Sequence, residues 1–250
     1  MDTLYPALKE SAAAGLAVVP CYTFFVKKSA QQTGAPTPTF TFGKAISRGL
    51  FEGFPAIAAI VGSQLFIQKE LEKRMTPYFD KKSSPLLFPG VSSFLTGAVT
   101  SPVLAFYNLL TMKKANDTFL QVAALAVKRL TVPQVGALAV REAAFLYSLR
   151  VLDPLEAMVG DLEPLLYFTA FISGYFGGLF CQPVDTAFTL WQRQLSIVDL
   201  AKVSSTDTGL EKATKCARVL MQGWKPRALG VGIFVCTYRA TNQLLENIGA

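Results

Sequence analysis

The chain has 250 residues, 51% apolar and only 16% charged, with a mean hydropathy of +0.36. An ordinary soluble domain carries roughly a quarter charged residues, so this balance excludes a soluble enzyme and a disordered tail. The net charge of +7 must therefore be read by position. Histidine is absent, and Cys21, Cys181, Cys216 and Cys236 show no paired spacing, so neither a metal site nor a disulfide framework is expected. Residues 1–10 read neither as a secretory signal nor as an Arg-rich transit peptide.

In chain order, the first apolar helix carries Ser11, Gly15, Pro20 and Phe25, and a second apolar stretch runs near Phe51–Glu72. Ser83 to Met112 is uncharged over 30 residues, and a weaker stretch near Val132–Leu152 is interrupted by Arg141 and Glu142. Pro164 to Val184 is uncharged over 21 residues, and the last stretch runs near Pro226–Leu245. Uncharged runs of 18 or more are the length signal of a membrane-spanning helix.

The pattern repeats. Pro20, Pro102 and Pro183 are 82 and 81 residues apart. Five residues before each is Gly15, Gly97 or Gly178; nine before is Ser11, Ser93 or Gly174; five after is Phe25, Tyr107 or Phe188. We read three repeats, 1–82, 83–163 and 164–250, integrated into one bundle: an all-α membrane protein with six transmembrane helices in three pseudosymmetric units of about 80 residues. The small residues permit close backbone approach in lipid, and each proline is expected to kink its helix.

Charge then gives an orientation. The segment 27–48 carries four basic and no acidic residues, 113–129 four against one, and 193–227 seven against three, a total of +11. The opposite segments, 1–10, 69–82, 150–163 and 239–250, total −2. Basic loops stay on the side of insertion, so the long loops are expected in the cytoplasm or mitochondrial matrix and both termini on the other side. Glu52, Arg141, Glu142 and Asp185 fall at membrane depth, where charged groups are costly and face an interior, water or each other.

The run Pro183-Val184-Asp185-Thr186-Ala187-Phe188-Thr189-Leu190-Trp191-Gln192, with glycine-rich 174–182 before it, resembles the signature of the mitochondrial carrier family. Arg48-Gly49 with Gly53-Phe54-Pro55, and Gly223-Trp224-Lys225-Pro226-Arg227, resemble that family's entry into its even helices. The resemblance covers the whole chain and implies the carrier fold in a mitochondrial membrane, normally the inner one, with small anions exchanged by alternating access. It also implies cardiolipin head groups near Arg48, Gly49 and Gly223, where helix N-termini offer free amides.

The chain departs from the family at its gates. The acidic positions of the three motifs read Tyr22, Leu104 and Asp185; the first basic positions read Phe25, Tyr107 and Phe188; the second read Lys27, Leu109 and Leu190. One acid of three survives, and three aromatics can pack as an apolar plug where the family has a ring of ion pairs. The matching closure on the other face reads Ser63-Gln64-Leu65, Ser148-Leu149 and Tyr238-Arg239. By alignment to the family, Glu52, Gly136, Ala137, Arg141 and Arg227 are the substrate-cavity candidates. The charges among them read better as leftover pairs than as a site for an anion.

The leading expectation is a carrier-like inner-membrane protein that has lost transport and serves as a structural subunit of a respiratory complex or ATP synthase. Alternatives are a working carrier of a nucleotide or carboxylate, and an outer-membrane homologue aiding protein insertion. No enzyme, catalytic residue, metal or cofactor beyond phospholipid is expected. The expected partners are the bilayer and other subunits, not nucleic acid, with a small-anion substrate only under the carrier reading.

Overall fold

A computed structural model describes residues 4–78, 87–110, 118–150 and 163–249. Among these the chain is all-helical. The elements are α1 (Leu4–Val18), α2 (Tyr22–Gln32), α3 (Phe42–Arg48), a π-helical turn (Gly49–Gly53), α4 (Phe54–Met75), α5 (Leu87–Leu110), α6 (Phe119–Arg129), α7 (Val132–Arg150), α8 (Glu163–Phe180), α9 (Gln182–Gln192), α10 (Ile197–Leu200), α11 (Gly209–Leu220) and α12 (Trp224–Gly249). Residues 1–3, 79–82, 113–117, 151–162 and 250 of the charge count lie outside the described residues.

The stretch Phe42–Met75 and the helix Leu87–Phe106 are long and apolar enough to cross a membrane; counting α6 with α7, and α8 with α9, as bent spans raises the number from two to four. The protein is therefore a helical membrane protein. The others fall short for physical reasons. The break at Pro20 leaves α1 only 15 residues long, and α7 and α12 carry inward polar groups that lower their mean hydropathy.

Proline acts unequally. The chain breaks at Pro20, between α1 and α2, and bends by 48° between α8 and α9, beside Pro183. The kink expected at Pro102 is not a break: α5 runs through it. There Thr100 Oγ1 donates to the Thr96 carbonyl and Ser101 Oγ to the Gly97 carbonyl, both at 2.8 Å. The carbonyl that the Pro102 nitrogen cannot serve is that of Ala98, one residue further on, so these bonds flank the lost one and do not replace it.

The long helices close a ring in which α1 packs on α4, α4 on α5, α5 on α7, α7 on α8, α8 on α12, and α12 on α1. Glycines set three of these crossings. A Cβ added to Gly97 would lie 2.9 Å from Ala139 Cα on α7, one on Gly178 3.1 Å from Ala228 Cα on α12, and one on Gly15 2.9 Å from the Phe54 ring on α4. Ser11 donates to the Ala58 carbonyl in the first crossing, and Ser93 accepts from Gln68 across α4 and α5.

Polarity is inverted relative to a soluble protein. Gln32, Gln64, Gln68, Gln182 and Gln192 are among the largest fully buried side chains, whereas Phe168, Phe176, Phe180, Val99 and Val103 lie exposed on the ring's outside. Lipid solvates that apolar exterior, and the ring must satisfy the polar groups internally.

Candidate functional site

The interior is polar because four helices aim charges at one point. Asp185, in the first turn of α9, is 1% exposed. Lys28 Nζ on α2 lies 2.8 Å from its Oδ2; Arg227 on α12 and Arg141 on α7 lie 2.8 and 3.3 Å from its Oδ1. Gln32, one turn beyond Lys28, donates to the same Oδ2 at 2.9 Å and to Thr186 Oγ1 at 2.9 Å. Such convergence makes a burial tolerable that would otherwise carry a large desolvation penalty.

The cations have further anchors. Arg227 donates to the Gly178 carbonyl at 3.2 Å and to Cys181 Sγ at 3.0 Å. Arg141 bonds Glu142 Oε1 at 2.6 Å and stands over the Phe188 ring at 5.7 Å. Glu142 Oε2 accepts from Gln64 Nε2 of α4 at 2.9 Å. The cluster therefore links α2, α4, α7, α9 and α12.

This cluster forms the wall of a central cavity of about 480 Å³. Its rim carries Arg48 and Glu52, the more exposed of its charged residues, paired at 2.7 and 2.9 Å, with Tyr22 donating to Glu52 at 3.1 Å. The opposite end is closed by apolar packing, with Phe145, Phe234 and Tyr238 at ring separations of 5.4 and 6.2 Å among Ala14, Ala17, Val61, Leu65 and Leu146. Beyond that closure, near the helix ends, lie the pairs Lys9–Glu246 and Lys69–Glu10.

Of the substrate-cavity candidates, Glu52, Arg141 and Arg227 line this cavity, whereas Gly136 and Ala137 are not among its lining residues. Gly136 borders open space, and Ala137 packs against a second apolar cluster around Leu104, Leu109, Leu138 and Phe188. Among the described side chains at the gate positions, Phe188 is buried in that cluster while Phe25 packs against the other one. Leu190 is fully buried, and the Tyr107 side chain lies outside the described residues. Gln192 donates to the Ala105 carbonyl at 3.1 Å, accepts from Asn108, and its own carbonyl accepts from Arg129 at 2.9 Å, tying α9 to α5 and α6.

Lys27 is half-buried and is not the residue that reaches Asp185; Lys28 is. At 100° per residue, Lys28 lies three positions past Phe25 and shares its face, whereas Lys27, two positions past, points away. That spacing, with Gln32 four further on, is the signal that could have found the pair. Arg48 is engaged by Glu52 and also stands 5.4 Å from the Phe40 ring centre. Gly49 serves close approach, since a Cβ there would lie 2.3 Å from the Val19 carbonyl oxygen. Gly223, at φ +80°, sits beneath the Lys28 backbone.

No protein-family model matches the chain, and no curated protein matches it significantly.

Proposed function

We propose that the chain is a degenerate member of the mitochondrial carrier family, with six spans in three repeats, that has lost transport and acts as a structural subunit of a larger membrane assembly. In this reading it sits in the mitochondrial inner membrane, termini toward the intermembrane space and basic loops in the matrix, with cardiolipin and neighbouring subunits around it. The observation that carries the reading is the capture of Asp185 by Lys28, Arg141 and Arg227. A built-in carboxylate takes the place that a substrate anion would take against two arginines.

An exchanger needs two states of similar free energy, each held by contacts the other lacks. Here Lys28, Arg141 and Arg227 converge on one carboxylate, and the far end is shut by aromatic packing. Affinity purification in mild detergent tests the reading: the chain should migrate on native gels with a much larger complex, and a free monomer would count against it.

A second reading, exchange of a small anion, is favoured by the volume of about 480 Å³. Liposomes loaded with labelled carboxylates or nucleotides decide it. Uptake that Arg227→Ala abolishes would sink the structural role.

A further inference from the structure

The loop between α2 and α3 carries a pattern that neither the bundle nor the cavity uses. Pro36-Thr37-Pro38-Thr39-Phe40-Thr41-Phe42 alternates threonine with a ring-bearing residue. In an extended chain this period puts the threonines on one face and the rings on the other. Proline fixes its own φ and keeps the residue before it out of the helical region, and Thr41 has φ −72° and ψ 156°. Residues 35–41 form neither helix nor strand, and Thr37, Thr39 and Thr41 are exposed.

The two edges of this segment differ. Amides and carbonyls of successive residues in an extended chain point to opposite edges. The prolines stand at even positions and strip that edge of two donors, whereas the odd edge keeps the amides of Thr37, Thr39 and Thr41. Among the described residues these three amides and the carbonyls of Thr37 and Thr39 make no hydrogen bond; the Thr41 carbonyl accepts from the Ala45 amide at 2.9 Å. A row of free backbone groups is a template for another strand. Beside it Phe42 is 84% exposed, on a helix α3 that buries none of its residues.

We infer that this segment pairs, antiparallel and centred on Thr39, with the same segment of a second copy of the chain. The sequence is its own complement about that centre: Thr37 falls opposite Thr41, Pro38 opposite Phe40, and Pro36 opposite Phe42. Each copy's two aromatic rings meet the other's two prolines, which covers Phe42, and threonine faces threonine, a favourable cross-strand pair. Four backbone bonds join free groups: two between the Thr39 residues, and one from each Thr41 amide to the opposite Thr37 carbonyl. A register centred on Pro38 would set proline against proline and leave Phe42 uncovered. Copies inserted in one membrane share an orientation, and a two-fold axis along its normal makes their loops antiparallel. At about 3.4 Å per residue the two Phe42 backbones stand about 20 Å apart, so the Lys44 side chains beyond them are separated by more than the screening length of about 8 Å. A two-stranded pairing is marginal in water, so this one depends on the bilayer holding both loops at one depth. It goes beyond the structural role, since it concerns a second copy and not other subunits.

Disulfide trapping in proteoliposomes tests it, in a Cys216→Ser, Cys236→Ser background where the remaining Cys21 and Cys181 are buried. Opposed residues of such a pair lie about 5.5 Å apart at Cα, within disulfide reach. Under a mild copper–phenanthroline oxidant, Thr39→Cys should give at least tenfold more covalent dimer than Thr37→Cys or Thr41→Cys alone. Mixing the last two should restore the dimer. Thr39→Pro, which deletes the two central donors, should cut that mixed cross-link at least fivefold while a thermal melt stays unchanged. Equal trapping at all three positions, trapping only of Thr37→Cys against Thr39→Cys, a mixed cross-link indifferent to Thr39→Pro, or a folded protein that stays monomeric throughout would each overturn the pairing. So would a Thr39→Cys chain that in native membranes cross-links only to a different protein. The structural reading is judged separately, by the native-gel and liposome experiments.

Discussion

Replacing Asp185 by leucine removes the centre of the charge cluster and leaves three cations facing one another. At an effective dielectric near 20, each contact at 2.8 Å represents about 6 kcal/mol of gross attraction and the one at 3.3 Å about 5. Most of that is offset by desolvation already incurred, and breaking a buried ion pair from one side typically costs about 3–5 kcal/mol net. For a chain of this length, about 2–4 °C of melting temperature is lost per kcal/mol, so Asp185→Leu should melt roughly 6–20 °C lower. A thiol-reactive dye in detergent reads the transition, because Cys21 and Cys181 are buried and become reactive on unfolding. Lys27→Met is the control: it stands outside the cluster and should move the melt little. A melting point for Asp185→Leu within about 2 °C of the parent, or an equal loss for Lys27→Met, would refute the view that this carboxylate holds the helices together.

The glycine crossings should rank by what stands opposite them: Gly49→Ala meets the Val19 backbone and should be the most damaging, Gly97→Ala meets the Ala139 backbone and should be next, and Gly136→Ala meets open space and should be near neutral. Overpacking of this kind costs about 1–3 kcal/mol where the neighbour cannot move, and the same dye melt orders the three. The loop helix α11 should loosen in acid. The Lys215 ammonium beside Asp207, and the Thr208 backbone amide beside Glu211, hold both carboxyls below their ordinary range. Their contribution is present above the unfolded carboxylate value and lost as pH falls through the lower folded one. Amide exchange across Gly209–Leu220 should therefore accelerate below about pH 4, and protection unchanged down to pH 2 would remove these carboxyls from the account. Arg141→Met should weaken the tie to Glu142 and Gln64 while Lys28 and Arg227 keep Asp185, so its melting loss should be smaller than that of Asp185→Leu.

Periodic features were legible in the sequence. The small residues at Gly15, Gly97 and Gly178 announced close crossings because a missing side chain leaves a mark at fixed spacing, and each of the three glycines does face a neighbouring helix. Proline was legible as a position but not as a bend, since Pro102 lies in an uninterrupted α5 whose Thr100 and Ser101 hydroxyls bond carbonyls of the preceding turn. Individual partners were the least legible. Lys27 was assigned by motif register, whereas helical phase selects Lys28, and Gln64 looked like a failed gate position although it carries the link from α4 to Glu142.

The same difference explains why the ring of ion pairs looked lost. Counting acidic and basic residues at motif positions leaves one acid of three and no first basic residue. A cluster in space does not need its members at equivalent positions, however, and Asp185 draws cations from α2, α7 and α12. A ring of three separate pairs can open by breaking each in turn, whereas three cations sharing one carboxylate must all give it up together. Replacing Phe25 and Phe188 by the basic residues that the carrier resemblance would place there would therefore leave Asp185 at the centre of a more cationic interior, with Lys28 still bound to it. Such a double variant should lower the melting point in the same dye assay, and an unchanged melt would refute the reasoning.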